Sequence, residues 1–187
     1  MTKEHTKNKI LTIPNVLTIA RIFMIPPFVW MYVYEENYLT ATVILLLSGL
    51  SDVLDGFIAR RFDMSSDFGK AVDPIADKLT QFTMLICLMA RFSFMWIPVC
   101  LLFVKELFLG ITSLLAIKKT KEVHGAKWHG KAATCLIYTM IFVHVIWYDI
   151  PYAVSMVLLV ASVAMMLVSC FYYAKRNYFM LRTEMRS

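Results

Sequence analysis

The chain has 187 residues, of which 59% are hydrophobic and 17% charged, with a formal net charge of +6 and a mean hydropathy of +0.64. Soluble domains are nearer half apolar, so the composition argues against a soluble protein and for one polytopic membrane domain over residues 1–187. The positive charge then reads as topology-setting and lipid-facing, with no nucleic acid as partner. Cys87, Cys100, Cys135 and Cys170 lie in apolar runs without a C-x-x-C pair, so neither a disulfide nor a zinc site is expected.

In chain order, residues 1–13 read as a short basic interfacial helix on the cytoplasmic surface. They do not read as a signal peptide, because no cleavage site of small residues is present. Residues 14–174 read as a core of six transmembrane helices, and 175–187 as a cytoplasmic tail. The first helix is expected from Asn15 to Tyr34, kinked or divided by Pro26 and Pro27. The second runs from Leu39 to Phe62, apolar first and then carrying Asp52 and Asp55. The third, Asp67 to Ala90, mirrors it, with Asp73 and Asp77 first and apolar residues after. The remaining three are expected at Phe94–Ile117, His129–Trp147 and Pro151–Tyr173. Each approaches the ~20 residues a span requires. The fold class is therefore all-α.

Loop charge orients the spans. Lys3, Lys7 and Lys9, then Arg60, Arg61 and Lys70, then Lys118, Lys119, Lys121, Lys127 and Lys131, and finally Lys175, Arg176, Arg182 and Arg186 fall on one side. The other side carries Glu35, Glu36, Asp149 and one base, Arg91. By the positive-inside rule both termini face the cytoplasm, in an inner membrane. Trp30, Trp96 and Trp147 fall at outer span ends, where aromatic belts lie. His124 and His129 read as solvated or interfacial residues of the basic loop, and His144 as bonded to a neighbouring helix.

Four aspartates are costly in such a chain. Asp52 and Asp55 stand at i,i+3, and Asp73 and Asp77 at i,i+4, so each pair lies on one face of its helix. Turn formers between the pairs allow the two helices to return antiparallel, which brings four carboxylates across one groove open to the cytoplasm. Divalent cations with a preference for oxygen, magnesium or manganese, would relieve both repulsion and dehydration. A cation transporter with the aspartates as its ion path is the alternative from another class. It leaves the small residues at fixed spacing unexplained.

The run Asp52-x-x-Asp55-Gly56-x-x-Ala59-Arg60, eight residues, then Gly69-x-x-x-Asp73-x-x-x-Asp77 resembles the signature of the CDP-alcohol phosphotransferases, with every position filled. The resemblance implies transfer of the phosphatidyl group of CDP-diacylglycerol to an alcohol, with CMP released. It implies two divalent metals on Asp52, Asp55 and Asp73, with Asp77 supporting the second metal and acting as base. It also implies a CDP pocket lined by Gly56, Ala59, Arg60 and Gly69, and a homodimer in membrane lipid.

Phosphatidylglycerophosphate synthases in this family have similar flanking features. The run Asn15-Val16-Leu17-Thr18-Ile19-Ala20-Arg21 is one of them; it implies Asn15 and Thr18 at the CDP-lipid and Arg21 at the acceptor. Lys105-Glu106 stands where Arg-Glu is expected, and Gly130-Lys131-Ala132-Ala133-Thr134 lacks a second lysine. Lys105, Lys127 and Lys131 are the further candidates for a phosphorylated acceptor. Glycerol 3-phosphate is the first expectation; phosphatidylglycerol (giving cardiolipin), inositol phosphate and serine stay open.

Overall fold

The computed structural model describes residues 12–62, 67–120 and 128–184, and these are helical apart from short turns. The arm expected over 1–13 lies, but for Thr12 and Ile13, outside the described residues. Six helices follow: α1 (Ile13–Val29), α2 (Tyr38–Arg61), α3 (Asp67–Met89), α4 (Trp96–Thr120), α5 (Trp128–Ile146) and α6 (Tyr152–Glu184). The chain divides into two compact units, Met1–Arg91 and Phe92–Ser187.

In the first unit, α1 packs on both α2 and α3. Thr12 caps α1, its hydroxyl accepting from the Asn15 amide at 3.4 Å, and Pro14 sits in the first turn, where no amide hydrogen is needed. Of the kink or division expected at Pro26 and Pro27, the division is not found. The helix continues through them, and its winding widens one turn later into a π-helical segment, Trp30–Tyr34. Glu36, at φ 50°, then turns the chain, and the Asn37 side chain caps α2 by accepting from the Thr40 amide at 3.1 Å.

Buried positions on α2 are Ala41, Leu45, Ser48, Ser51 and Asp55. Steps of three and four residues put them on one face, so Asp55 belongs to the same seam that packs the helix. On α1 the buried face is polar at its start (Asn15, Thr18, Arg21) and aromatic at its end (Phe28), and Tyr32 of the π-helical segment continues it. Phe28 stacks on Tyr32 at 5.7 Å, Tyr38 meets Tyr32 edge-on at 5.3 Å, and the Arg91 guanidinium lies over Tyr38 at 5.2 Å.

In the second unit, α6 packs on α4 and α5. Its buried residues are Ser155, Leu159, Ser162, Met166, Ser169 and Tyr173. Alternating steps of four and three make a heptad-like seam with serine at every seventh position. Small residues there let backbones approach closely. Ser162 donates to the Leu136 carbonyl at 3.2 Å, and Ser155 pairs with His144 Nε2 at 2.7 Å. The expectation that His144 bonds to a neighbouring helix is met.

Among the described residues, five helices are long and apolar enough to cross a membrane: Ile13–Tyr34, Tyr38–Ala59, Ser93–Thr112, Trp128–Ile146 and Tyr152–Arg176. The sixth expected span, α3, has the length but is not among them. Its apolar half, Leu79–Met89, is only eleven residues long, and a longer stretch takes in Lys78, Asp77 and Asp73. Helix α6 also overruns expectation, continuing from Tyr173 to Glu184. Hydropathy ends the span near Arg176, but no proline or glycine follows to end the helix.

Candidate active site

The site is built on α1, α2 and α3 of the first unit. The fourteen residues from Thr12 to Ile25 include three polar side chains on one face of α1, Asn15, Thr18 and Arg21, at successive i,i+3 steps. All three are buried. A buried arginine in an apolar helix requires anionic partners, and the four aspartates supply them.

Arg21 Nη2 lies 2.5 Å from Asp52 Oδ1 and 2.6 Å from Asp55 Oδ2, both on α2. Its Nη1 pairs with Asp77 Oδ1 on α3. Thr18 Oγ1 is within reach of three oxygens: Asp73 Oδ1 at 2.6 Å, Pro14 O at 3.1 Å and Asp55 Oδ2 at 3.3 Å. A hydroxyl has one proton to donate, and the shortest contact gives it to Asp73. One turn of α1 thus ties together both aspartate pairs, which is the convergence the spacing predicts, with α1 as its centre.

Exposure divides the carboxylates. The Asp55 side chain is 7% exposed, whereas those of Asp52 and Asp77 are 50% and 44% exposed. The cluster therefore has an inner anchor and an open rim. One guanidinium contacts three carboxylates and the Thr18 hydroxyl a fourth, so the carboxylates of the cluster outnumber the guanidinium that bridges them.

That donor set, carboxylate oxygen only, is the chemistry hard divalent cations take. Among the described residues no three acidic, histidine or cysteine side chains stand at ligand spacing; the carboxylates are spread around the guanidinium. The donor chemistry fits divalent metal, and the geometry present is the arginine-bridged one.

Arg21, expected at the acceptor, is thus placed among the carboxylates, and Thr18, expected at the CDP-lipid, contacts two of them. The sequence held one signal, a lone arginine in the first apolar helix of a chain with four aspartates in two other helices; which of them it meets is set by the packing of α1. Gly56 and Ala59 lie half-buried on α2, and Gly69 is buried in the first turn of α3. Arg60 lies in the last turn of α2, and its side chain is outside the described set.

The remaining acceptor candidates belong to the second unit. Lys105 is buried and pairs with Glu106 Oε1 at 3.3 Å. Lys131 is exposed in the second turn of α5, and Lys127 lies outside the described residues, as does His124. His129, expected as a solvated or interfacial residue of the basic loop, instead lies in the first turn of α5 and is 4% exposed. It stacks on Tyr172 at 5.3 Å and meets the Tyr173 edge at 4.7 Å, because two aromatic residues of α6 close over it.

Relatives with curated names carry the same chemistry in those names. A CDP-diacylglycerol–glycerol-3-phosphate 3-phosphatidyltransferase of Aquifex aeolicus (strain VF5) is 41% identical over 76 residues, covering 41% of this chain and 42% of the relative. Its namesake in Rickettsia typhi (strain ATCC VR-144 / Wilmington) is 36% identical over 111 residues, covering 57% and 62%. A cardiolipin synthase (CMP-forming) of Streptomyces coelicolor (strain ATCC BAA-471 / A3(2) / M145) is 35% identical over 138 residues, covering 68% and 61%. In each case the match spans less than two thirds of the relative's own length. Residues 11–171, which include α1 and both aspartate pairs, match the family described as CDP-alcohol phosphatidyltransferase, and this chain belongs to that family.

Proposed function

We propose that the chain is a phosphatidyltransferase that moves the phosphatidyl group of CDP-diacylglycerol to the hydroxyl of glycerol 3-phosphate. The observation that carries the reading is the gathering of Asp52, Asp55, Asp73 and Asp77 around Thr18 and Arg21, with the rim carboxylates open. The acceptor hydroxyl gives its proton to Asp77, and its oxygen bonds to the lipid-bearing phosphorus. The bond from that phosphorus to the bridging oxygen breaks, and CMP leaves with the electron pair. Two divalent cations, magnesium or manganese, held by the four aspartates would neutralise the pyrophosphate oxygens and the leaving phosphate.

Gly56, Ala59 and Gly69 leave room for the nucleotide, and Arg60 and Asn15 contribute polar contacts to it. Lys131 and Lys127 receive the acceptor's phosphate. The protein works as a homodimer with six spans, α3 included, both termini and the site facing the cytoplasm.

A second reading, cardiolipin synthesis from phosphatidylglycerol, is favoured by one observation. The relative named cardiolipin synthase matches 68% of this chain, more than the 57% and 41% matched by the two relatives named for glycerol 3-phosphate. Purified protein incubated with CDP-diacylglycerol, Mg2+ or Mn2+, and each alcohol in turn separates the two. CMP release with glycerol 3-phosphate alone supports the first reading, and release with phosphatidylglycerol alone replaces it with the second. No CMP with any alcohol and either metal refutes both.

A further inference from the structure

Arg21 binds its carboxylates in an unusual manner. An arginine fixed on one carboxylate forms a bidentate fork with both oxygens of that partner. Here Nη2 is divided between Asp52 Oδ1 and Asp55 Oδ2, and Nη1 goes to Asp77 Oδ1 on another helix. The buried Nε has no hydrogen-bond partner among the described residues, so the planar fork is not used to its capacity. The guanidinium spreads over three carboxylates as a coordinated cation does. These oxygens are also the donors that the proposed metals need. A guanidinium and divalent cations in contact with one set of oxygens repel each other at short range, where screening by solvent is weakest.

We propose that Arg21 is an internal competitor of the divalent cations, holding Asp52, Asp55 and Asp77 together in the metal-free protein and yielding their oxygens when metal binds. This rests on the metal site of the proposed function. It makes Arg21 a positioning residue with two opposite effects. It stabilises the metal-free fold, because four carboxylates on α2 and α3 otherwise repel across α1. It also weakens metal binding, because each ion must displace it. The coupling is reciprocal: what metal does to Arg21, Arg21 does to metal.

The test compares the full-length wild type with Arg21→Gln and Arg21→Lys in detergent, stripped of metal. Mn2+ binding is read from the electron paramagnetic resonance of the free ion, and stability from thermal unfolding in chelator and in Mn2+. Arg61→Gln, which removes a positive charge from an exposed position at the end of α2, controls for general charge.

Arg21→Gln is expected to bind Mn2+ about tenfold more tightly than wild type. It melts lower in chelator and recovers most of that loss in Mn2+. Arg21→Lys keeps the charge but not the reach of the fork, so its binding tightens by a smaller factor. Should Arg21→Gln not fold, Arg21→Lys decides: tighter binding supports the proposal, and equal or weaker binding overturns it. Equal tightening in Arg61→Gln also overturns it. Wild type that binds Mn2+ with no gain in the Arg21 variants sinks this proposal alone, whereas wild type that binds no Mn2+ sinks the metal reading beneath it.

Discussion

Asp55 and Asp77 illustrate how one residue type takes two roles through burial. The Asp55 side chain is 7% exposed and its Oδ2 lies 2.6 Å from Arg21 Nη2, so it anchors the cluster from within. Asp77 shares Arg21 but is 44% exposed, which leaves it accessible to a substrate hydroxyl. Asn at position 77 retains an oxygen to accept from Arg21 but has no basicity. Asp77→Asn is therefore expected to lower turnover by ~10²–10⁴-fold, the usual share of a general base, while CDP-lipid binding stays near wild type. Steady-state CMP release and equilibrium binding of the CDP-lipid, measured on one preparation, check this; turnover within a few-fold of wild type would exclude Asp77 as the base. The lysines divide by the same logic. Lys105 is buried and committed to Glu106, whereas Lys131 is exposed. Loss of one charge-assisted hydrogen bond costs ~1.5–3 kcal/mol, so Lys131→Ala should raise KM for a phosphorylated acceptor by at least about tenfold and leave KM for CDP-diacylglycerol unchanged. Equal changes in both constants would remove Lys131 from the acceptor pocket.

At the scale of elements, Gly130 sets how closely α6 approaches the start of α5. A Cβ at Gly130 would meet Tyr173 Oη at 2.5 Å and the ring carbons at 3.2 and 3.3 Å. The ring cannot easily retreat, because the His129 ring lies 4.7 Å away between centroids and the Arg176 guanidinium at 5.0 Å. Gly130→Ala therefore sets a helix-propensity gain of ~1 kcal/mol against an overpacking cost of ~1–3 kcal/mol, for a net loss. Tyr173→Phe removes the nearest atom, so the glycine substitution should cost less in that background. A double-mutant cycle on thermal or denaturant unfolding should return a coupling of ~1–2 kcal/mol; strict additivity would show that the contact does not limit the packing. Contacts of this kind mark the limit of what the sequence discloses. The facing of each aspartate pair was legible, because i,i+3 and i,i+4 spacing fixes a helix face whatever packs there. The six helices were legible from apolar runs and turn formers. The partner of Arg21 was not, since it depends on α1 packing against both aspartate-bearing helices. Nor was the burial of His129, which comes from Tyr172 and Tyr173 more than forty positions later.

For the molecule as a whole, the open quantity is the parity of its membrane crossings. Length and hydropathy give five candidate spans, with α3 left out on account of its charges. Yet those charges do not have to meet lipid: Asp73 and Asp77 are engaged by Thr18 and Arg21 of α1, and the half of α3 beyond them, from Leu79 to Met89, carries no charged residue. If α3 crosses, the basic stretches around Arg61 and Lys118 face the same side, and Asp149 the opposite one. If it does not, every later segment inverts, the Lys118–Lys131 stretch moves across the membrane from Arg61, and the positive-inside rule is broken. Charge thus favours six crossings where hydropathy counts five. Single cysteines at Arg61 and Asp149, both exposed at helix ends or turns, decide the matter in a background where the four native cysteines are replaced. A membrane-impermeant maleimide added to intact cells should label Asp149→Cys and leave Arg61→Cys unlabelled until the cells are opened. Labelling of both from one side would mean that α3 does not cross, and that the aspartate-bearing part of the chain does not face the cytoplasm through a six-span core.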